Sequence, residues 1–224
     1  MKSKFALILL AGGSGLRMGA DLPKQFIKIH NKPILFYTIE TFLDYNPNLD
    51  VFLALPENHI DYWNNITKDW EYKFKVQIVK GGKERFFSVK NCLDIMSGYD
   101  CVAIHDGVRP MLSQAFLQRI FSFNKENGGW VPVIPLVDSI RCKISDDVTE
   151  AVSRSKYVAV QTPQIFNFEK IKAAYKQPYM ESFTDDASVF ENFGEKVFIF
   201  TGESSNKKIT TKEDLIFADY FLKK

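Results

Sequence analysis

An α/β fold with a doubly wound, mostly parallel sheet and a protruding β-arm is what this sequence predicts. Three observations predict it. Short apolar runs alternate with stretches of helical periodicity from residue 5 to about residue 135. Several of those runs empty into polar, glycine-bearing loops, as strands do at the ligand edge of an open parallel sheet. The alternation then breaks at about residue 136 into two strand-like stretches joined by a polar turn. A chain of 224 residues suits one domain, 1–224, carrying an arm at about 137–160.

Taken in order, Phe5 to Leu10 is an apolar run that reads as a buried first strand. The stretch AGGSGLRMGADLPKQF, residues 11–26, follows it. Gly12, Gly13, Gly15 and Gly19 allow φ > 0 and close backbone approach to a ligand. Successive N–H groups on such a turn form an anion site, and Arg17 and Lys24 add two cations beside them. The spacing matches neither the dinucleotide fingerprint nor the P-loop. The loop therefore reads as a phosphate cradle of another kind, against the plainer reading of a strand-to-helix connection with surface cations.

Pro33 suits the first turn of a helix, and Leu35, Ile39, Phe42 and Leu43 follow at helical spacing until Asn46-Pro47-Asn48 ends it. Residues 51–55 form a strand closed by Pro56, and 57–69 a helix with Ile60, Trp63 and Ile66 on one face. A strand at 76–79 ends at Gly81-Gly82, and a helix runs over about 84–96. A strand at 101–104 empties into HDGVRP, and Ser113 is an N-cap that Leu112 and Leu117 can bracket as a hydrophobic staple. A strand at 131–134 precedes the break. Residues 139–144 and 151–160 then read as a hairpin turned at Ser145-Asp146-Asp147. It is too poor in apolar faces to stand alone, so a second subunit is its expected support. A helix from about Glu169, a helix ending at Gly194, a strand at 197–201, a polar loop at 206–211 and a last helix capped by Thr211 complete the chain.

Composition excludes several classes. A net charge of +2 gives no global case for nucleic-acid binding. Cys92, Cys101 and Cys142 are odd in number and widely spaced, and three isolated histidines suggest no zinc site. Lys4 precedes only seven apolar residues and no 18-residue apolar run occurs, so a soluble, cytoplasmic protein without membrane association is expected.

Four polar clusters follow predicted strands, at 11–26, 81–88, 105–110 and 202–211, and four loops on one edge make one cleft. Within it, Ser88 opens toward Gly81-Gly82, and Asp106 and Arg109 stand three residues apart. Asp106 can hold Mg²⁺, which takes one or two carboxylates with phosphate oxygens, or can be the partner of Arg109 in a structural ion pair. Lys208 rises above an ordinary surface lysine only through its place at the cleft.

Six stretches also carry a resemblance. AGGSGLRMG with LPKQF, GGKERFFSV, HDGVRP, QTPQIF at 161–166, TDDAS at 184–188 and NKKITTKEDL at 206–215 occur in one order across nearly the whole chain. Together they resemble the 2-C-methyl-D-erythritol 4-phosphate cytidylyltransferases of the non-mevalonate isoprenoid pathway. The resemblance implies a Rossmann-like nucleotidyltransferase domain and a homodimer through the β-arm. It implies that amides around Ala11, Gly12, Gly13, Ser14 and Gly15 hold the CTP triphosphate, and that Arg17, Lys24 and Lys208 are catalytic cations. It places Gly82, Lys83 and Ser88 at the cytosine, and Asp106 at Mg²⁺ or the ribose. It puts Arg109, Ser139, Arg154, Thr162 and Thr184 at a polyol phosphate, the arm residues reaching across the dimer. Three departures stand out: Lys83 where several relatives carry Asp, Ser139 where Thr is common, and Gly107 where alanine is more usual. A ribitol-5-phosphate cytidylyltransferase, a sugar-1-phosphate nucleotidyltransferase and a non-catalytic nucleotide-binding module are the alternatives.

Overall fold

A computed structural model describes residues 3–13, 22–68, 70, 75–123 and 128–223. The first strand, β1 (Phe5–Leu10), leads to a single 3-10 turn at Lys24–Phe26 and a small hairpin, β2 (Lys28–Ile29) and β3 (Lys32–Pro33). His30 and Asn31 turn that hairpin with φ of 47° and 65°, the left-handed pair that a two-residue loop needs. Next come α1 (Ile34–Tyr45), β4 (Asp50–Leu55), α2 (Ile60–Lys68), β5 (Val76–Lys80), α3 (Arg85–Ile95), β6 (Cys101–Asp106) and α4 (Gln114–Ile120). The chain continues through β7 (Gly129–Pro135), the arm strands β8 (Arg141–Lys143) and β9 (Thr149–Ala151), β10 (Val158–Val160) and β11 (Gln164–Asn167). It closes with α5 (Phe168–Ala174), α6 (Asp186–Asn192), β12 (Val197–Thr201) and α7 (Lys212–Phe221).

Strands β5, β4, β1 and β6 lie side by side and parallel. Strand β11 then joins β6 to β7, antiparallel to both, while β12 runs parallel to β7. Val133 pairs with both Val160 and Thr201, and Trp130 with both Ile165 and Phe198. Strands β10 and β11 therefore share one side of β7, and β12 occupies the other.

The central strands β1, β4 and β6 are buried on both faces because helices cover both. Along β1, Leu7 and Leu9 enter one apolar cluster with α1, α2 and α4, while Ala6 and Ile8 enter a second with α3, α5 and α6. That period-two division of a continuous apolar run is what a doubly wound sheet requires. A third cluster joins Ile34, Val108, Ile209 and Ala218, and so packs α7 and the loop before it over the C-terminal edge of the sheet.

Four details differ from the sequence reading. The arm hairpin pairs Arg141 with Ala151 and Lys143 with Thr149, and residues 158–160 belong instead to the central sheet opposite Pro135, Ile134 and Val133. A 3-10 turn at Arg154–Lys156 breaks the predicted long strand in two. Strand β11, within the QTPQIF stretch, escaped the periodicity reading because Pro163, whose peptide bond to Thr162 is cis, interrupts the apolar run before it. Pro33 stands at the N-cap of α1, one residue ahead of the first helical turn.

Candidate active site

The C-terminal ends of β1, β4, β5 and β6 open onto one cavity of about 330 Å³. Three of the four predicted clusters contribute backbone to its wall, and Lys208 reaches it from the fourth. Each lining loop has a local reason for its path.

Beyond β1, the Ala11 N–H donates to the Ala54 carbonyl at 3.0 Å, which extends the parallel ladder by one step before the chain leaves the sheet. Gly12 and Gly13 are exposed there. The Lys24 side chain crosses Gly13 so closely that a Cβ on that residue would lie 2.9 Å from Lys24 Cε. Gln25, fully buried, sends its Nε2 to the Ala11 carbonyl at 2.7 Å and so fixes the turn that presents Lys24. Ser14, Gly15 and Arg17 lie outside the described residues.

Beyond β5, the Gly81 N–H donates to the Leu55 carbonyl at 2.7 Å. A Cβ on Gly82 would fall 2.2 Å from Phe87 Cβ, so only glycine fits this turn into α3. The Gly82 N–H donates to Ser88 Oγ at 3.0 Å, and that hydroxyl donates onward to the Glu84 carbonyl at 3.3 Å. Ser88 thus shapes the loop. Lys83 is exposed on the cavity wall.

Beyond β6 lies the charged centre. Asp106 Oδ2 is 3.1 Å from Arg109 Nε and 3.1 Å from Lys208 Nζ. Burial alone would raise this carboxyl's pKa; the nearby Lys208, Arg85 and Arg109 charges outweigh it and hold the group well below the usual carboxylate range. Arg109 also donates from Nη1 to the Asn206 carbonyl at 2.9 Å. Asn206 is buried and donates to the Thr162 carbonyl at 2.8 Å, so the final polar loop is laced to the QTPQ stretch and carries Lys208 to the cavity. Behind Asp106, His105 is fully buried, and desolvation pushes its pKa down to about 4. The neutral ring donates from Nε2 to the Arg109 carbonyl at 3.0 Å and accepts at Nδ1 from Thr162 Oγ1 at 2.9 Å. The Asp106 N–H in turn donates to the same Thr162 oxygen at 3.1 Å.

Not every predicted residue meets this cavity. Thr162 is buried and committed to His105 and the Asp106 backbone, and Arg109 is drawn under Asp106 as an ion-pair partner. Thr184 is exposed two residues before α6, next to its N-cap Asp185. Ser139 and Arg154 are exposed on the arm, where Arg154 donates to the Val137 carbonyl. The sequence reading missed Arg85 and Gln25 as wall residues. Arg85 lay inside a stretch already singled out, at the start of a helix, and its partner Asp186 lay inside another; only the tertiary fold joins them.

Among the described residues, no three His, Cys, Asp or Glu side chains gather as a metal cage. One ionised carboxylate on the wall of a cation-rich cavity instead suits Mg²⁺, which takes one or two protein oxygens and draws the rest from phosphates and water. No described helix is long and apolar enough to cross a membrane.

The family model for 2-C-methyl-D-erythritol 4-phosphate cytidylyltransferase matches residues 5–224. The chain belongs to that family. The cytidylyltransferase of Bacteroides thetaiotaomicron is 40% identical to this chain over 212 residues, covering 95% of it and 96% of the relative. That of Porphyromonas gingivalis is 41% identical over 224 residues, covering 99% of both chains. The crystal structure of the 4-diphosphocytidyl-2C-methyl-D-erythritol synthase of Anaerococcus prevotii matches at a TM-score of 0.82 and 27% identity, with both chains fully covered.

Proposed function

We propose that this cytidylyltransferase transfers the cytidylyl group of CTP to 2-C-methyl-D-erythritol 4-phosphate, giving 4-diphosphocytidyl-2-C-methyl-D-erythritol and pyrophosphate. Family membership over residues 5–224 supports the reaction. The single structural observation that carries it is the cavity itself, where exposed glycine amides, Lys24, Lys208 and an ionised carboxylate converge at a parallel sheet's C-terminal edge. The Ser88 hydroxyl on the wall is committed to the Gly82 N–H and the Glu84 carbonyl, and this reaction requires no nucleophile from the protein.

An acceptor phosphate oxygen attacks the α-phosphorus in line. The new P–O bond forms as the bond from that phosphorus to the oxygen bridging the β-phosphate breaks, and pyrophosphate carries the electron pair away. A phosphate monoester is already anionic near neutral pH, so no general base is needed. Two anions must be brought together, and the protein's work is positioning and charge neutralisation. The amides of Gly12 and Gly13, with Ser14, Gly15 and Arg17, hold the triphosphate. Lys24 and Lys208 face the charge that develops at the α-phosphorus. Gly82, Lys83 and the Ser88-shaped loop receive the base. Asp106 would hold Mg²⁺, which when bound neutralises phosphate charge. Arg109 and Thr162 serve the acceptor through the Asp106 segment that they hold, and Thr184 is assigned to the acceptor itself. Ser139 and Arg154 act on the acceptor bound by a partner protomer, in a homodimer built through the arm; the exposed Val137, Ile144 and Val148 there support that assembly. We place the enzyme in the cytoplasm as one domain with an appended arm.

The test incubates the pure protein with Mg²⁺, CTP and either methylerythritol phosphate or ribitol 5-phosphate, following pyrophosphate. Turnover with methylerythritol phosphate and CTP is expected. Preference for ribitol phosphate, preference for UTP or GTP, or CTP binding without product would overturn this assignment.

A further inference from the structure

The turn at Gly81–Ser88 is held from outside the cavity. Arg85, the first residue of α3, donates from Nη1 and Nη2 to the two oxygens of Asp186 at 2.6 and 2.5 Å. Asp186 is fully buried at the start of α6 and contributes nothing to the cavity wall. Its Oδ1 also accepts from the Tyr175 hydroxyl at 2.6 Å. The Tyr175 ring stacks on Phe86, the residue after Arg85, with centroids 4.7 Å apart and planes 28° apart. The start of α6 is itself fixed: Gln164 Oε1 accepts from the Ala187 N–H at 2.9 Å, and its Nε2 donates to Asp185 at 2.8 Å. A two-pronged Arg–carboxylate bond fixes direction as well as distance, which a lysine does not. About a third of the Arg85 side chain remains exposed, on the wall of the cavity.

We propose that Asp186 is a positioning residue for the nucleotide: by gripping both prongs of Arg85 it sets the Gly82–Ser88 turn in the geometry that receives CTP. This rests on the CTP reading above. The Gly82 N–H and the Glu84 carbonyl are already tied to Ser88, so the turn is rigid within itself. The Gly81 N–H ties the start of the turn to Leu55 at 2.7 Å, and the Arg85 fork anchors its far end, where α3 begins. Loss of the anchor shifts the turn relative to Gly12 and Lys24, which lie in the loop beyond a different strand, β1. A displacement of about 1 Å at a site of this kind costs up to about a hundredfold.

The experiment measures CTP affinity by calorimetry, without acceptor, for wild type, Asp186→Asn, Arg85→Lys and Tyr175→Phe, each below its own unfolding midpoint. Asp186→Asn and Arg85→Lys are each expected to weaken CTP binding by about tenfold or more. Their double variant is expected to be little weaker than either, because the pair acts as one device. Tyr175→Phe, which removes only one hydrogen bond and keeps the charges, is expected to weaken binding by about twofold to fivefold. It decides the matter if the charge variants do not fold. Steady-state KM for the acceptor is expected to stay within about twofold throughout. A lowered unfolding midpoint with unchanged CTP affinity would show a merely structural role and overturn the proposal, as would equal weakening of CTP and acceptor. A wild type that binds CTP but makes no product sinks the reaction and leaves this inference standing. One that binds no CTP sinks both.

Discussion

Replacing Gly13 by alanine separates the role of the loop from the stability of the fold. Gly13 does not sit at positive φ, so an alanine there meets no backbone penalty. Its Cβ would stand 2.9 Å from Lys24 Cε, inside normal contact distance, and the nearby atoms all belong to the Lys24 side chain. A flexible methylene chain yields cheaply, so the change in stability should stay within about 0.5 kcal/mol, or roughly 2 °C in midpoint for a chain of this size. The ammonium at its end moves with it. At an effective dielectric of about 20, two unit charges interact by roughly 5.5 kcal/mol at 3 Å and roughly 4.2 kcal/mol at 4 Å. A displacement of about 1 Å therefore costs about 1.4 kcal/mol, which is about tenfold in rate. Lys24→Ala, which removes the charge outright, should cost roughly 10²–10³. Because both act through one ammonium, the double variant should be no slower than Lys24→Ala alone. Steady-state pyrophosphate release, with thermal unfolding on the same samples, measures all three. Gly13→Ala turning over like wild type, or losing several degrees of stability, would refute the reasoning.

Gly107→Ala should destabilise by about 1–3 kcal/mol, seen as a lower unfolding midpoint, because its Cβ would meet Leu35 Cδ1 at 2.9 Å and the Leu10 carbonyl at 3.1 Å. His105 is neutral and buried with its pKa pushed from 6.5 down to about 4, so the unfolded chain binds more protons between those values. Stability should therefore fall as pH drops through that window, by at most about 1.4 kcal/mol per pH unit, and denaturant titrations of His105→Gln should lack that slope. Asp106 has the opposite chemistry and the same direction: its depressed carboxyl contributes stability above its ordinary value of 3.8, lost as pH falls below it. Asp106→Asn should accordingly differ from wild type most near neutrality and progressively less as pH falls below 3.8, by the same titrations.

The alternation of apolar runs and amphipathic stretches made the parallel half of the sheet legible, because β1, β4 and β6 are apolar over most of their length and amphipathic helices stand between the strands. Val51–Leu55 and Cys101–Ile104 are read straight from composition. The antiparallel part was not legible. Strand β11 is only four residues long and follows Pro163, while the three residues of β10 merge in sequence with the arm. What assigns them is pairing with β7, a tertiary fact. The candidate site divides along the same line. Gly12 and Gly82 stand just past strand ends, Asp106 ends β6, and Lys24 belongs to the loop that leaves β1, so their convergence could be read from topology. Lys208 could be placed at the cleft but not against Asp106, because Asn206, Gln161 and Thr162 set that path through long-range hydrogen bonds. Arg85 and Asp186 stand 101 residues apart, and no local pattern links them. Gly107 shows the same limit: a glycine for alanine reads as harmless until Leu35 is seen packed against it.

The glycine-bearing end of β1 and its neighbouring cations are held here to grip the phosphates of CTP, and every other role follows from that. A crystal structure of the protein with CTP and Mg²⁺ tests it most directly. Triphosphate oxygens are expected on the Gly12 and Gly13 amides, with Lys24 and Lys208 within hydrogen-bonding distance of them and cytosine against the Gly81–Lys83 turn. A nucleotide bound away from these residues, with that edge of the sheet bare, would contradict it.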